Sequence, residues 1–316
     1  MKQSLFESRH QPDWDAFNSQ LEALERGKAE AQTCQSFAAR YRQLCQHLAL
    51  AQARGYSSHL IDQLQQLAMR GHQQFYRHRS HLGAQTIRFL FGGFPRLVRS
   101  EWRSVCVASL LFFGSLALMG LLTYLYPELI FSLVSADQVS EMERMYDPDA
   151  RRLGRFSERG SGEDWVMFGF YIMNNIGIAF QTFASGLLLC LGSLFFLLFN
   201  GLMIGAVAGH LTRIGYGEPF WSFVIGHGAF ELTAIALAGA AGFKLGWALL
   251  APGRLTRSEA LRLAAGKAIQ LVAGVILFLL LAAFIEAFWS STTFASPDIK
   301  YIVGTGLWVL VLSYLL

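Results

Sequence analysis

The sequence predicts an all-α fold: a polytopic membrane helix bundle with broken or re-entrant helices, preceded by a soluble αα-hairpin. Three observations carry that prediction. Of 316 residues, 53% are hydrophobic and only 15% charged, against about 25% charged in an ordinary soluble domain. The mean hydropathy is +0.36. The sign of the charge also changes along the chain. Residues 1–103 hold 14 Lys/Arg against 8 Asp/Glu, residues 127–164 hold 5 against 9, and residues 165–316 hold 7 against 5. Loops that alternate across a membrane show this pattern. A disordered or collagen-like chain is excluded, and a soluble two-domain enzyme is disfavoured. A nucleic-acid binder would gather more basic charge on one soluble face.

Residues 1–100 read as a cytoplasmic helical module. Leu44, Leu48 and Ala51, then Leu60, Leu64 and Leu67, recur at three- and four-residue steps, the period of an amphipathic helix. Gly55 followed by Tyr56, Ser57 and Ser58 breaks the pattern and offers a helix start. The expected elements are one helix over 14–53 and a second over 57–82, joined as a hairpin. The chain opens on a polar stretch without an apolar targeting core. The module is therefore expected to stay in the cytoplasm, with the first apolar run as the insertion signal.

The segment 88–103 carries Arg88, Arg96, Arg99 and Arg103 against Glu101 alone. Cytoplasmic charge is expected just before a first span, and anionic headgroups could also bind there. The first span is expected over 104–126. Its 23 residues would cover about 35 Å, enough for a hydrocarbon core of about 30 Å. Residues 127–164 follow as an acidic extracytoplasmic loop with short helices around 135–147. Apolar segments then cover 165–182, 184–211, 219–231, 232–250, 268–289 and 301–316. The loop before 268 holds Arg254, Arg257, Arg262 and Lys267 against Glu259. Placing it on the same side as the N-terminus requires an even number of crossings before it. That favours six spans in a membrane domain of residues 101–316. Five spans plus a re-entrant 165–182 stay open, because Asn174, Asn175 and Gln181 lie in that segment. The expected location is the bacterial inner membrane.

Two rows of small residues stand out. Gly201, Gly205 and Gly209 repeat at four-residue steps, as do Ala234, Ala238, Gly242 and Gly246. Such rows let helices pack closely in lipid. Each follows a polar segment, Asn174-Asn175 in one case and His227-Gly228 with Glu231 in the other. This pairing suggests an internal repeat of broken-helix units, as in some transporters. A close-packing seam of this kind could equally join copies of the chain into a homo-oligomer.

The candidate functional residues are the polar groups at membrane depth: Asn174, Asn175, Gln181, Asn200, His227 and Glu231. His227 and Glu231 are four apart and share a helix face. The cluster reads either as an inter-helix clasp or as a substrate, ion or proton site. No catalytic residue, metal or cofactor is expected. A zincin needs HExxH and a third ligand, whereas this chain offers HGxxE with one His. Glu286 and Lys244 are expected to reach the interface on their long side chains. Cys34, Cys45, Cys106 and Cys190 form neither a CxxC pair nor a disulfide framework.

The residues also resemble a family. Tyr41-Arg42, Leu48-Ala49, Ala53-Arg54-Gly55, Leu64, Leu67, Arg70, His72 and Tyr76-Arg77 match in the N-terminal part. Asn174-Asn175, Gly186, Asn200-Gly201, Gly205, His227-Gly228 and Glu231-Leu232 match in the membrane part. This ordered combination is similar to the stage II sporulation protein M family, over nearly the whole chain. The resemblance implies an integral membrane scaffold; in sporulating bacteria the family member holds peptidoglycan-degrading partners. The longer form resembles versions found beside MoxR-type ATPases and RDD-type membrane proteins. By resemblance, such proteins or cell-wall enzymes are the expected partners, together with membrane lipid and no nucleic acid. The runner-up is a transporter or channel-like protein with a polar site at membrane depth.

Overall fold

The computed structural model describes residues 2–26, 31–75, 82–149, 161–292 and 294–316. Every regular element among them is helical. The chain divides into two compact units, residues 1–83 and 84–316. Residues 27–30, 76–81 and 150–160 lie outside the described residues, and with them Tyr76, Arg77 and part of the expected acidic loop. The Cys34 side chain does too.

Among the described residues, the first unit contains three helices rather than the expected hairpin: α1 (Gln3–Glu25), α2 (Ala31–Ala53) and α3 (Ser58–Phe75). Their apolar stripes meet in one core that includes Phe6, Trp14, Phe17, Leu21, Leu44, Leu60 and Leu64. The α2–α3 turn forms where the sequence places it. Gly55 has φ +60°, a left-handed conformation that costs glycine least. Tyr56 N–H donates to the Ala51 carbonyl and Gly55 N–H to that of Gln52, each at 3.1 Å, which closes a Schellman cap on α2. Arg70 ties α3 to α1 with two bonds to Glu25, at 2.9 and 3.1 Å, and one to Asn18 at 2.9 Å.

The second unit begins before residue 100. Helices α4 (Leu82–Arg88) and α5 (Phe94–Ser100) flank a π-turn at Phe89–Gly93. Phe94 is fully buried and fills the notch left by the missing side chain of Gly274. The basic segment is thus part of the membrane unit, not of the helical module.

Six long helices make up that unit: α6 (Trp102–Leu125), then, after the short α7 (Ala136–Met145), α8 (Ser161–Ala184), α9 (Leu191–Arg213), α10 (Gly217–Leu250), α11 (Arg257–Ile285) and α12 (Pro297–Leu315). Among the described residues, five are long and apolar enough to cross a membrane: α6, α9, α10, α12, and α11 extended to Ser290. Helix α8 has 24 residues, about 36 Å at 1.5 Å per residue, and its hydropathy is reduced by Asn174, Asn175 and Gln181.

The glycine rows explain the packing. A Cβ on Gly201, Gly205 or Gly209 would come within 3.0 Å of α6 atoms at Phe112–Ser115, Leu116 and Gly120–Thr123 respectively. Helices α6 and α9 therefore run parallel at backbone contact. A chain that rises twice must descend between, and α8 makes that descent. On α10, Gly242 meets the Thr182 and Phe183 carbonyls, and Gly246 meets Gly186 and Cys190. Ala238 is fully buried in the central cluster with Leu271 and Leu279. Both seams are consumed within the chain, which leaves neither row exposed for a second copy.

The two broken-helix units are not equivalent. The first is a real break: α8 passes through a 3-10 turn, then Leu189 and Cys190 at φ +53° and +71°, into α9. The second does not exist. Helix α10 runs unbroken for 34 residues, because its one proline, Pro219, stands in the first turn, where no backbone donor is needed, and residues 220–250 hold no other. The short helix followed by a long one occurs once, so the structure does not repeat it.

Candidate functional site

Three helices bring polar groups together toward the end of the bundle where α10 begins. Helix α10 supplies His227 and Glu231, one turn apart. Helix α8 supplies Asn174 and Asn175. The C-terminal end of α11 supplies Glu286 and Ser290 from a π-turn spanning Glu286–Ser290. Such widened turns are frequent at functional sites, since they redirect side chains that an α-helix would spread around its axis.

One donor atom each from His227, Glu231 and Glu286 lies within 4.8 Å of the other two. His227 Nδ1 is 3.0 Å from Ser290 Oγ, and the ring packs edge-on against Phe223. Asn174 Nδ2 donates to Asn175 Oδ1 at 2.9 Å. Asn175 is only 5% exposed, and its side chain lies against the Glu231 carboxylate. Beside the cluster is a cavity of about 240 Å³. Glu231, Glu286, Asn174 and Asn175 form its polar wall, while Met142, Met145 and Tyr146, on or just past α7, close it from the other side. Helix α7 is held there by Glu143, whose carboxylate is 2.7 Å from His210 Nε2. One imidazole and two carboxylates beside a half-open, mostly apolar cavity can share protons or hold a cation.

The expected polar cluster is thus partly assembled. Asn174, Asn175, His227 and Glu231 meet. Gln181 does not: it is exposed on the outer face of α8, six residues beyond Asn175 and so about 120° around the helix from it. Asn200 does not either, since its Nδ2 donates to the Phe196 carbonyl of its own helix at 2.7 Å. Glu286, expected at the interface, is instead buried to 9% exposure and completes the cluster. Its i,i+4 spacing from Ser290, the same as that of His227 and Glu231, was the available signal. Lys244 also has a specific place. Its Nζ is 2.7 Å from Glu101 Oε2, and Lys267 Nζ is 3.1 Å from Glu101 Oε1. The start of α6, the end of α10 and the start of α11 therefore share one face, and both basic segments lie on it. Burial alone would raise the Glu101 carboxyl, but the hydrogen bonds and charges of Lys244 and Lys267 outweigh it and hold the group below its ordinary range.

A family model described as stage II sporulation protein M matches residues 109–291. A second, described as a domain of unknown function (DUF8413), matches residues 4–77. No curated protein and no solved structure matches the chain.

Proposed function

The chain belongs to the stage II sporulation protein M family, and from that premise we propose that it works as a membrane scaffold that recruits partner proteins. The observation that carries this reading is the packing of the membrane unit. Helices α6 with α9, and α8 with α10, touch at backbone level along their glycines. Interiors packed this way resist continuous deformation. A rigid anchor suits holding, whereas alternating access needs elements that rock against each other. The first unit, with its own core, is then the recruiting module. Partners of the MoxR-type ATPase, RDD-type membrane protein or cell-wall enzyme classes come from the resemblance.

We place the protein in a bacterial cytoplasmic membrane with six crossings, α8 included, and the N-terminus inside. What supports this is the shared face of the two basic segments, since cytoplasmic loops carry the Lys/Arg excess.

The test is recovery of partners from membranes extracted in mild detergent, with the protein tagged at native level, with and without residues 1–83. Near-stoichiometric recovery of an ATPase or cell-wall enzyme, lost on truncation, supports the reading. A partner-free particle overturns it. One observation favours the transporter reading, namely the polar cavity at Glu231. Under the scaffold reading Glu231→Gln leaves partner recovery unchanged. Loss of function with folding and partners intact would favour transport.

A further inference from the structure

We infer that the groove between α6, α10 and α12 binds one anionic glycerophospholipid, with its phosphate on Arg99 and Arg103 and an acyl chain running down the groove toward Trp308. The inference needs only that the chain spans a membrane, and it stands whether or not the protein is a scaffold.

The groove comes from how three helices pack. Helices α6 and α12 both lie on α10, and a half-open cavity of about 260 Å³ remains between them. Its floor is the α10 face that carries Thr233, Ala236 and Leu237. Thr233 Oγ1 donates to the Ala229 carbonyl of its own helix at 2.7 Å, so the floor presents no donor in need of a partner. The exposed Cys106 and Leu312 form the rim, which opens toward lipid. From Trp102 to Phe113 the α6 wall extends 11 residues, about 16 Å at 1.5 Å per residue. At the deep end the Phe113 and Trp308 rings meet edge-on, with centroids 6.4 Å apart. An apolar slot of this kind suits an acyl chain, whereas a polar solute would lose its hydrogen bonds there.

The mouth has the opposite chemistry. Arg99, in the last turn of α5, lines the cavity together with Trp102. Arg103 lies over the Trp102 ring, 5.5 Å from its centroid. Arg99 uses one donor on the Leu315 carbonyl at 3.4 Å, and a guanidinium has five. Neither arginine has an acidic partner among the described residues. Glu101, the one acid of the segment, holds Lys244 and Lys267 instead. The two arginines flank the start of α6, so they stand at headgroup level, where tryptophan is also favoured. Basic pockets between spanning helices bind anionic headgroups, and a guanidinium pairs with two phosphate oxygens at once.

Charge and shape together select the occupant. A zwitterionic lipid brings the chain, but its ammonium offsets the phosphate. Free phosphate brings the charge without the chain. An anionic lipid satisfies both ends of the groove.

The test uses full-length protein in mild detergent, with bound lipid counted by native mass spectrometry. Phosphatidylglycerol should be retained as one adduct and phosphatidylcholine should not, at the same concentration. Excess glycerol 3-phosphate, a headgroup without chains, should not displace it. Arg99→Gln should weaken retention by about fivefold, the effect of one basic charge near a membrane surface. Cys106→Trp, which fills the groove from its lipid-facing rim, should abolish retention. Arg254→Gln, in the basic loop before α11, should bind as wild type does. A second readout needs no variant. Alkylation of Cys106 by N-ethylmaleimide, followed at the peptide that contains it, should be slowed several-fold by phosphatidylglycerol and not by phosphatidylcholine. Equal retention of the two lipids, displacement by glycerol 3-phosphate, equal weakening by Arg99→Gln and Arg254→Gln, undiminished retention in folded Cys106→Trp, or Cys106 alkylation indifferent to phosphatidylglycerol would each overturn the proposal.

Discussion

Glu101 holds two lysines from different helices, and its side chain is only 12% exposed. Glu101→Gln would leave Lys244 half-desolvated without its counter-charge. A loss of about 1–3 kcal/mol is expected, read as a lower melting temperature in detergent. Because this carboxyl is held below its ordinary range, its contribution is full at neutral pH. It disappears as pH falls below the ordinary carboxylate value toward the folded one. The Gln variant should therefore melt like wild type at acid pH and below it at pH 7. His47 works in the other direction. Burial, then the charge of His10, lowers its imidazole from the ordinary 6.5, against a smaller opposing pull from Asp13, and its Nδ1 accepts from Trp14 Nε1 at 3.1 Å. Below about pH 6.5 the unfolded chain takes up a proton that the folded unit refuses, so stability falls with pH there. His47→Gln should flatten the melting temperature of residues 1–83 between pH 7 and pH 5. Of such residues the sequence marks His227 and Glu231, whose spacing declares a shared face. For Glu286 it offers only the i,i+4 spacing to Ser290, and it does not mark Glu101, whose partners Lys244 and Lys267 lie far along the chain.

At the scale of elements, small residues decide the spacing between helices. Gly205→Leu would drive a side chain into the Leu116 carbonyl, which belongs to backbone and cannot rotate away. Overpacking of this kind costs about 1–3 kcal/mol or more. A depressed melting temperature and poor detergent-extracted yield are expected. Gly177→Leu is the control, since its Cβ would meet nothing within 4 Å; a melting temperature within a degree or two of wild type is expected. Helix ends follow local chemistry. Thr256 and Glu259 form a reciprocal capping box on α11, and Gly215, at φ +93°, ends α9 as Gly55 ends α2. These signals stand in four or five consecutive residues, which is why they are legible. The π-turn at Glu286–Ser290 has no such local signature. It reflects what its side chains meet across the bundle.

For the molecule as a whole, the boundary near residue 83 has consequences. A fragment of residues 1–83 keeps its entire core and should give a helical circular-dichroism spectrum with cooperative melting. Extending it to residue 100 adds Phe94 and Val98 stripped of their surroundings, and size-exclusion chromatography should then show aggregates. In the other direction, deleting 1–100 removes Phe94 from the Gly274 notch. Losing a buried Phe costs about 3–5 kcal/mol, so this truncation should lower the melting temperature of the membrane unit where deletion of 1–83 does not.

By itself the sequence determined the membrane class, the rough extent of most apolar segments, the glycine rows and the family. Composition, periodicity and spacing are local quantities, and lipid permits few arrangements of backbone other than helices. The tertiary structure alone decided three further matters. It made α10 one continuous helix and α8 the returning helix of the bundle, because the direction of a helix is set by what it packs on. It turned the glycine rows inward against α6 and the α8–α9 turn. It also set Glu286 beside His227 and Glu231 and sent Gln181 outward. A polar residue in an apolar run announces that it needs a partner, but which partner it meets depends on how neighbouring helices are rotated about their axes, and only the packed bundle fixes that rotation.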